Sequence, residues 1–263
     1  MVLLLNTSQA GLALQLSFRV AEESAFSSLF PHDPEEINAR VRLVEYFGGK
    51  TYLTIVEYGA GCGETTFSLC KRGHSLYALE DDLALFSVLS SNSSFYESTT
   101  PVILPISAVN SEFKDEIDVV FAFNYFSFLN FENKALVIKK AFESLRTEGV
   151  LIFSHSNIYE HNELIPTSQN TFEVQKELKI NKKLERSIVL NPNTINLQYK
   201  TELVFRNEVI KSVESESRLY LSTPKDLIDI CARVGFENAW VFNDLSLNSN
   251  TPDSFEYFIV ARK

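Results

Sequence analysis

Between residues 52 and 153, short apolar runs alternate with amphipathic stretches, a pattern that predicts strands and helices wound around a parallel sheet. Residues 53–57 read as a buried strand that runs into the glycine cluster Gly59-Ala60-Gly61-Cys62-Gly63. Residues 64–72 follow as a helix with Phe67, Leu69 and Cys70 inward, closed by Gly73, a residue that accepts the left-handed conformation of a helix end. A second strand is expected at 76–79. Leu83, Phe86, Val88 and Leu89 predict a second helix, broken by the polar run Ser90-Ser91-Asn92-Ser93-Ser94. Residues 102–106 make a third strand weakened by Pro105, which has no amide to donate. Residues 117–123 are almost continuously apolar, as in a strand covered on both faces. Ala135, Ile138, Ala141, Phe142 and Leu145 recur at helical spacing, and residues 149–153 supply a fifth strand.

After His155 the texture changes. Residues 157–186 are polar and charged, and then Ile195, Leu197, Tyr199, Leu203 and Phe205 share one parity of a period-two run. Asn191-Pro192-Asn193 and Arg206-Asn207-Glu208 punctuate that run like hairpin turns, so an inserted antiparallel sheet is expected. The basic residues Lys176, Lys179, Lys182, Lys183 and Arg186 read as a solvated face. The earlier pattern then resumes. Thr223, Pro224 and Asp226 give a cap, a first-turn proline and a capping-box acid, with Leu227, Ile230, Cys231 and Val234 facing inward and Gly235 closing the helix. Residues 240–242 and 255–261 form a closing strand pair around Thr251-Pro252-Asp253-Ser254. Near the N-terminus, Leu12, Leu14, Leu16, Phe18 and Val20 alternate like a strand, while Leu12, Leu16 and Val20 also fit a helix face, and period alone does not decide.

The pattern gives an α/β fold: a Rossmann-like, doubly wound, mostly parallel seven-stranded sheet with an antiparallel β insertion after the fifth strand. Residues 1–50 would form an N-terminal lid, 51–156 and 220–263 the nucleoside-binding domain, and 157–219 the inserted subdomain. The 263 residues hold 24 Lys and Arg against 34 Asp and Glu, a formal charge of −10. That excess argues against a nucleic-acid partner, whose phosphates are gripped by clustered cations. Three scattered cysteines, Cys62, Cys70 and Cys231, make neither a disulfide framework nor a CxxC metal site, so no metal is expected, and the odd count suits reduced thiols. The apolar start Met1-Val2-Leu3-Leu4-Leu5 has no basic flank, and no stretch approaches the ~18 apolar residues of a membrane span, so the expected location is the cytoplasm, with no membrane partner.

The chemistry sits at the glycine turn. Glycines between a strand and a helix allow positive φ and close approach of a ligand to the backbone, and the helix start offers free amides. A dinucleotide fold wants a third glycine at position 64, where this chain has Glu64, so a pyrophosphate would meet a carboxylate. A cationic sulfonium with an amino group suits Glu57 and Glu64 better. Glu80, closing the second strand, can accept from both ribose hydroxyls.

These residues resemble the first motif of the class I S-adenosylmethionine-dependent methyltransferases, acidic-x-Gly-x-Gly-x-Gly, in Glu57-Tyr58-Gly59-Ala60-Gly61-Cys62-Gly63. The run from Asp118 to Tyr125 is similar to the family's fourth motif, and the run from Leu145 to Phe153 to its fifth strand. The tail from Tyr220 resembles the close of small-molecule members, sugar N-methyltransferases among them. The resemblance implies S-adenosyl-L-methionine as methyl donor, with S-adenosyl-L-homocysteine as product. It implies that Glu57, Gly59, Ala60, Gly61, Gly63, Glu80, Asp81, Ser107, Ala108, Asn124 and Tyr125 hold it. Ser107 stands where the family usually has an Asp for the adenine amino group, so adenine would rest on the Ser107 hydroxyl and the Ala108 amide. Asn124 either satisfies backbone at the strand end or lines the methyl-donor site.

His155 is the histidine placed at the carboxyl end of a central strand, where ligands sit in open α/β sheets, and is the candidate to deprotonate or orient an amine or hydroxyl. The segment from Ile195 to Phe205 would form a wall of the acceptor pocket or a homodimer contact. The expected activity is methyl transfer to nitrogen or oxygen of a small-molecule acceptor. The competing readings are a binding protein that has lost catalysis and, less favoured, a nicotinamide oxidoreductase.

Overall fold

The computed structural model describes residues 34–94, 100–156, 169–175, 178–191, 193–245 and 256–263. The alternating run at 12–20 and the turn at 251–254 lie outside them. The described chain begins with α1 (Pro34–Gly48) and then alternates β1 (Thr54–Tyr58), α2 (Glu64–Lys71), β2 (Ser75–Leu79), α3 (Leu83–Ser93), β3 (Val102–Leu104), β4 (Ile117–Ala122), α4 (Phe131–Ser144) and β5 (Leu145–Ser156). Four strands follow, β6 (Gln169–Gln175), β7 (Leu178–Asn191), β8 (Thr194–Phe205) and β9 (Glu208–Tyr220). The chain closes with α5 (Pro224–Val234), β10 (Asn238–Phe242) and β11 (Glu256–Arg262).

The main sheet has seven strands in the order β10-β11-β5-β4-β1-β2-β3. Neighbours from β5 to β3 pair in parallel, and β11 runs antiparallel to both β5 and β10. All six residues of β4 are buried, because its two faces serve two cores. Val120 and Ala122 pack with Val137, Ile138, Leu227 and Ile230 of α4 and α5, while Val119 and Phe121 pack with Val41, Val44, Leu69 and Cys70 of α1 and α2. The chain reverses winding direction between β1 and β4, which opens a crevice at their carboxyl ends.

Several boundaries differ from those expected. The α3 helix runs through the polar stretch to Ser93, since the Ser87 and Ser93 hydroxyls bond back to the Leu83 and Ser90 carbonyls and let serine sit within the helix. The β3 strand stops at Leu104, ahead of Pro105. The β5 strand starts at Leu145, directly after α4, and absorbs Glu148 at φ +63°. The α1 helix, at the end of the segment expected as a lid, packs against the core. Its Val41, Leu43 and Val44 are core residues, and the rest of the expected lid lies outside the described residues.

The insertion is a four-stranded antiparallel meander, β6-β7-β8-β9. Arg206 and Asn207 both have positive φ, the geometry of a two-residue hairpin turn. The polar stretch before residue 186 holds the mostly polar β6 and part of β7, whose lysines conceal its alternation. Leu184, Ile195, Leu197, Leu219 and Leu221 form a separate apolar cluster, and the Leu221 amide donates to the Asn193 carbonyl at 2.8 Å where β9 returns toward α5. The expected capping box of α5 is formed by Thr223 and Asp226.

Candidate functional site

Gly59, Gly61 and Gly63 take φ of +69°, +56° and +91° in the turn after β1, values that a side chain resists. The Gly59 and Ala60 amides both donate to the Leu79 carbonyl, at 2.9 and 3.0 Å, tying the turn to the end of β2. A Cβ on Gly63 would come within 2.4 Å of Phe67 and 2.5 Å of Leu89, and one on Gly59 within 2.4 Å of the Tyr125 ring. One on Gly61 would meet nothing within 4 Å. Two glycines are therefore there for packing, and the third leaves open space through which a ligand can reach the backbone.

Glu80 faces the same turn. Its Oε2 accepts from the Gly61 amide at 2.8 Å and its Oε1 from the Asp82 amide at 2.9 Å. A carboxylate oxygen can take two such bonds, so each retains capacity for one more donor. Burial pushes the Glu80 carboxyl up to about 7, against the pull of those two amides. Asp81 is exposed beside it, and Asp82 caps α3 through bonds from the Ala84 and Leu85 amides.

Glu57, on β1, is buried and accepts from the Thr66 hydroxyl of α2. Burial pushes its carboxyl up to about 8, with Thr66 and Arg40 drawing it down and Glu80 and Glu64 adding to the rise. Two acids that resist ionisation in this way gain from any cation placed beside them.

After β4, Asn124 adopts φ +58° and its amide donates to Ser154 Oγ at 2.8 Å. The Tyr125 ring lies against Gly59, and burial raises its hydroxyl above the usual range while Ser107 and Ala108 draw it down. The sequence-derived candidates thus meet at one edge of the sheet, with Ser107 and Ala108 beside Tyr125 and Tyr125 against the glycine turn.

His155 is packed inside this end of the sheet. Its side chain is completely buried, stacked on the Tyr257 ring at 5.6 Å between centroids. Its Nε2 accepts from Lys134 Nζ at 2.7 Å, while Nδ1 lies 3.1 Å from the Ser156 carbonyl oxygen and 3.3 Å from Ser127 Oγ. Burial and the Lys134 charge hold the imidazole down at about 3. With both nitrogens engaged and no exposed surface, the ring organises the strand end and is not placed to take a proton from an acceptor.

Three residues that sequence reasoning passed over, Arg40, Glu256 and Lys134, belong to this end of the sheet. Arg40 sits on the buried face of α1, 5% exposed, ion-paired to Glu36 and with its guanidinium 5.2 Å from the Phe123 ring centroid. Asn124 turns its amide oxygen to Arg40 Nη2 at 3.1 Å and its nitrogen to Glu256 Oε1 at 2.6 Å. Arg40 Nε has no hydrogen-bond partner among the described residues. Lys134, on α4, is buried with its ammonium on His155, the Tyr220 carbonyl and Ser222 Oγ. The legible signal was positional: Arg40 falls in step with Ile37, Val41 and Val44, and Lys134 with Val137, Ile138 and Ala141, charged residues inside apolar stripes.

Comparison with solved structures gives the same architecture throughout. An S-adenosylmethionine-dependent methyltransferase from Clostridium acetobutylicum superposes with a TM-score of 0.73 at 11% identity, over 90% of this chain and 95% of that one. The sugar N-methyltransferase KedS8 from a Streptoalloteichus species gives 0.71 at 14%, over 90% and 92%. The CcbJ methyltransferase from Streptomyces caelestis gives 0.69 at 16%, over 88% and 97%. The fold is the one these methyltransferases share. No protein-family model and no curated protein matches the sequence. Within that fold the seven-stranded sheet, its antiparallel closing pair and the flanking helices correspond element for element to the expected Rossmann-like class. No described helix is long and apolar enough to cross a membrane.

Proposed function

We propose that this chain is an S-adenosylmethionine-dependent methyltransferase that moves a methyl group to nitrogen or oxygen of a small-molecule acceptor. The observation that carries the reading is the Glu80 carboxylate, held on the Gly61 amide beside the open space over that residue and with acceptor capacity left on both oxygens. A ribose diol fits that carboxylate. Glu57 and the surrounding acids suit the ammonium and sulfonium charges, and Tyr125, with Ser107 and Ala108, suits the adenine edge. The fold shared with KedS8, described as a sugar N-methyltransferase, supports a small acceptor.

Residues 51–156 and 220–263 would hold the methyl donor, and the inserted sheet would supply a wall for the acceptor. The donor brings an electrophilic methyl on a good leaving group. The chain's part is to hold the acceptor in line with it, positioning that contributes about 7 to 11 kcal/mol. A nicotinamide dinucleotide is disfavoured because Glu64 heads α2, where a pyrophosphate would need the helix amides to itself.

Calorimetry with S-adenosylmethionine, S-adenosylhomocysteine and NADH tests the binding half: the two adenosyl ligands bind and NADH does not. Transfer of labelled methyl into a metabolite extract tests the activity. Tight adenosyl binding without any transfer would instead favour a binding protein that has lost catalysis.

A further inference from the structure

Arg40 lies among more acids than it can neutralise. Glu36 is ion-paired to it, and Glu57 and Glu256 feel its charge, so three carboxylates surround one guanidinium. The Arg40–Asn124–Glu256 chain places the last of these on the side of Asn124 away from Glu57. The order across the sheet runs from Glu80 at β2 through Glu57 at β1 and Asn124 after β4 to Glu256 at the start of β11. Glu256 pairs in register with Ser156, the last residue of β5 and the point where the inserted sheet departs. A carboxylate there stands beyond the methionine end of the proposed donor site, at the entrance to the proposed acceptor wall. Arg40 Nε, buried at the same place, has no hydrogen-bond partner among the described residues.

We propose that Glu256 binds the acceptor and serves as its general base, and that the acceptor is therefore an amine that arrives protonated. This rests on the methyltransferase reading of the same site. The carboxylate takes a proton from the ammonium and becomes a carboxylic acid. The freed nitrogen lone pair attacks the methyl carbon, and the carbon–sulfur bonding pair returns to sulfur as the neutral thioether leaves. The positive charge of the sulfonium ends on the methylated ammonium, and the proton given up by the acceptor stays on Glu256 as a neutral acid. An alcohol brings no charge to offset the acid excess. The groups facing Glu256 are Ser154 on β5, Arg40 and Glu36 on α1 and Asn124 after β4, and burial raises its carboxyl above the usual range despite Ser154 and Arg40. That moves it toward the pH at which a base works best.

The test uses the full chain saturated with S-adenosylhomocysteine for binding and labelled S-adenosylmethionine for transfer. Ethanolamine, glucosamine and 3-amino-3-deoxyglucose serve as amine probes, with ethylene glycol and glucose as matched alcohols. The expected result is calorimetric binding of at least one amine and of neither alcohol. Glu256→Gln is expected to abolish that binding or weaken it at least tenfold. Transfer to the bound amine should fall about 100-fold or more, with loss of the limb that rises with pH, and Glu256→Asp should recover part of it. S-adenosylhomocysteine affinity and unfolding temperature should stay close to wild type. Failure of every amine to bind, or a Glu256→Gln enzyme with the wild-type rate and pH profile, overturns the proposal. Absence of S-adenosylhomocysteine binding in the wild-type chain overturns the methyltransferase reading instead.

Discussion

Lys134 Nζ stands 2.7 Å from His155 Nε2, with neither side chain open to solvent. The pair joins α4 to the carboxyl end of β5, and the same ammonium reaches the Tyr220 carbonyl and Ser222 Oγ at the return from the insertion. Tyr257 completes the clasp by donating to the Ser222 carbonyl at 2.7 Å. Burial holds the Lys134 ammonium down at about 7. Lys134→Met should leave three polar groups without a partner and destabilise the fold by roughly 2 kcal/mol, since a buried unsatisfied group costs about 1–3 kcal/mol and loss of the buried charge offsets part of that. With the Lys134 charge gone, the His155 titration should move up from about 3, which an NMR titration of the imidazole protons reads directly. His155→Gln should lower the unfolding temperature yet leave the pH profile of methyl transfer unchanged, the outcome for a ring that positions strands and moves no proton.

Glu57 and Glu80 predict an opposite pH dependence. Their folded values of about 8 and about 7 lie above the ordinary 4.5, so the native state binds more protons than the unfolded state between those limits. Stability then falls as pH climbs through that window. Glu57→Gln removes its share of the slope. The variant should gain on wild type steadily from pH 4.5 to pH 8 in parallel thermal unfolding series, and a constant gap across that range would contradict the burial of an acid at this position.

The same two acids couple ligand charge to protons. A cation bound beside them favours their ionised forms, so S-adenosylmethionine and S-adenosylhomocysteine should release protons on binding near pH 7 and bind more tightly at pH 8 than at pH 6. Calorimetry in two buffers of different ionisation enthalpy measures the release. Glu80→Gln should reduce it and weaken S-adenosylhomocysteine about tenfold, because a hydrogen bond to a charged group contributes about 1.5–3 kcal/mol. A 2′-deoxyribose analogue should lose less on that substitution than the parent ligand.

The glycines separate packing from binding. Gly63→Ala forces a Cβ into Phe67 and Leu89 at positive φ and should cost roughly 2–4 kcal/mol of stability. Gly61→Ala meets open space, so its cost is limited to the roughly 1–2 kcal/mol of the left-handed backbone, while adenosyl affinity should drop further than that stability loss. Comparing chemical unfolding with ligand titration for the two variants distinguishes the roles.

The glycine turn, β1, β4 and the capped α5 were legible because each is specified locally: an apolar run of strand length, a cluster of glycines, a Thr-Pro-x-Asp start. Glu80 followed from its place after β2. The α3 extension was not legible because serines that satisfy themselves on the preceding turn look the same in sequence as serines in a loop. Nor were β6, which is mostly polar, and β7, whose lysines break the period-two signal. The strand-end place of His155 was legible but its burial against Lys134 was not, because that partner comes from α4, twenty-one residues earlier, and no periodicity links the two. Arg40 and Glu256 come from opposite ends of the chain and meet through Asn124, a contact that only the wound sheet creates.

The inserted sheet leaves the core at Ser156 and rejoins it at Tyr220, and one lysine fastens departure to return through His155 and the Tyr220 carbonyl. Both cuts of the seam lie side by side, away from the Gly61–Glu80 contact. A scaffold jointed in this way can trade one such module for another at a single splice while its nucleoside cradle stays intact, so transplanting a foreign insertion between those two points offers a direct route to altering which acceptor is modified.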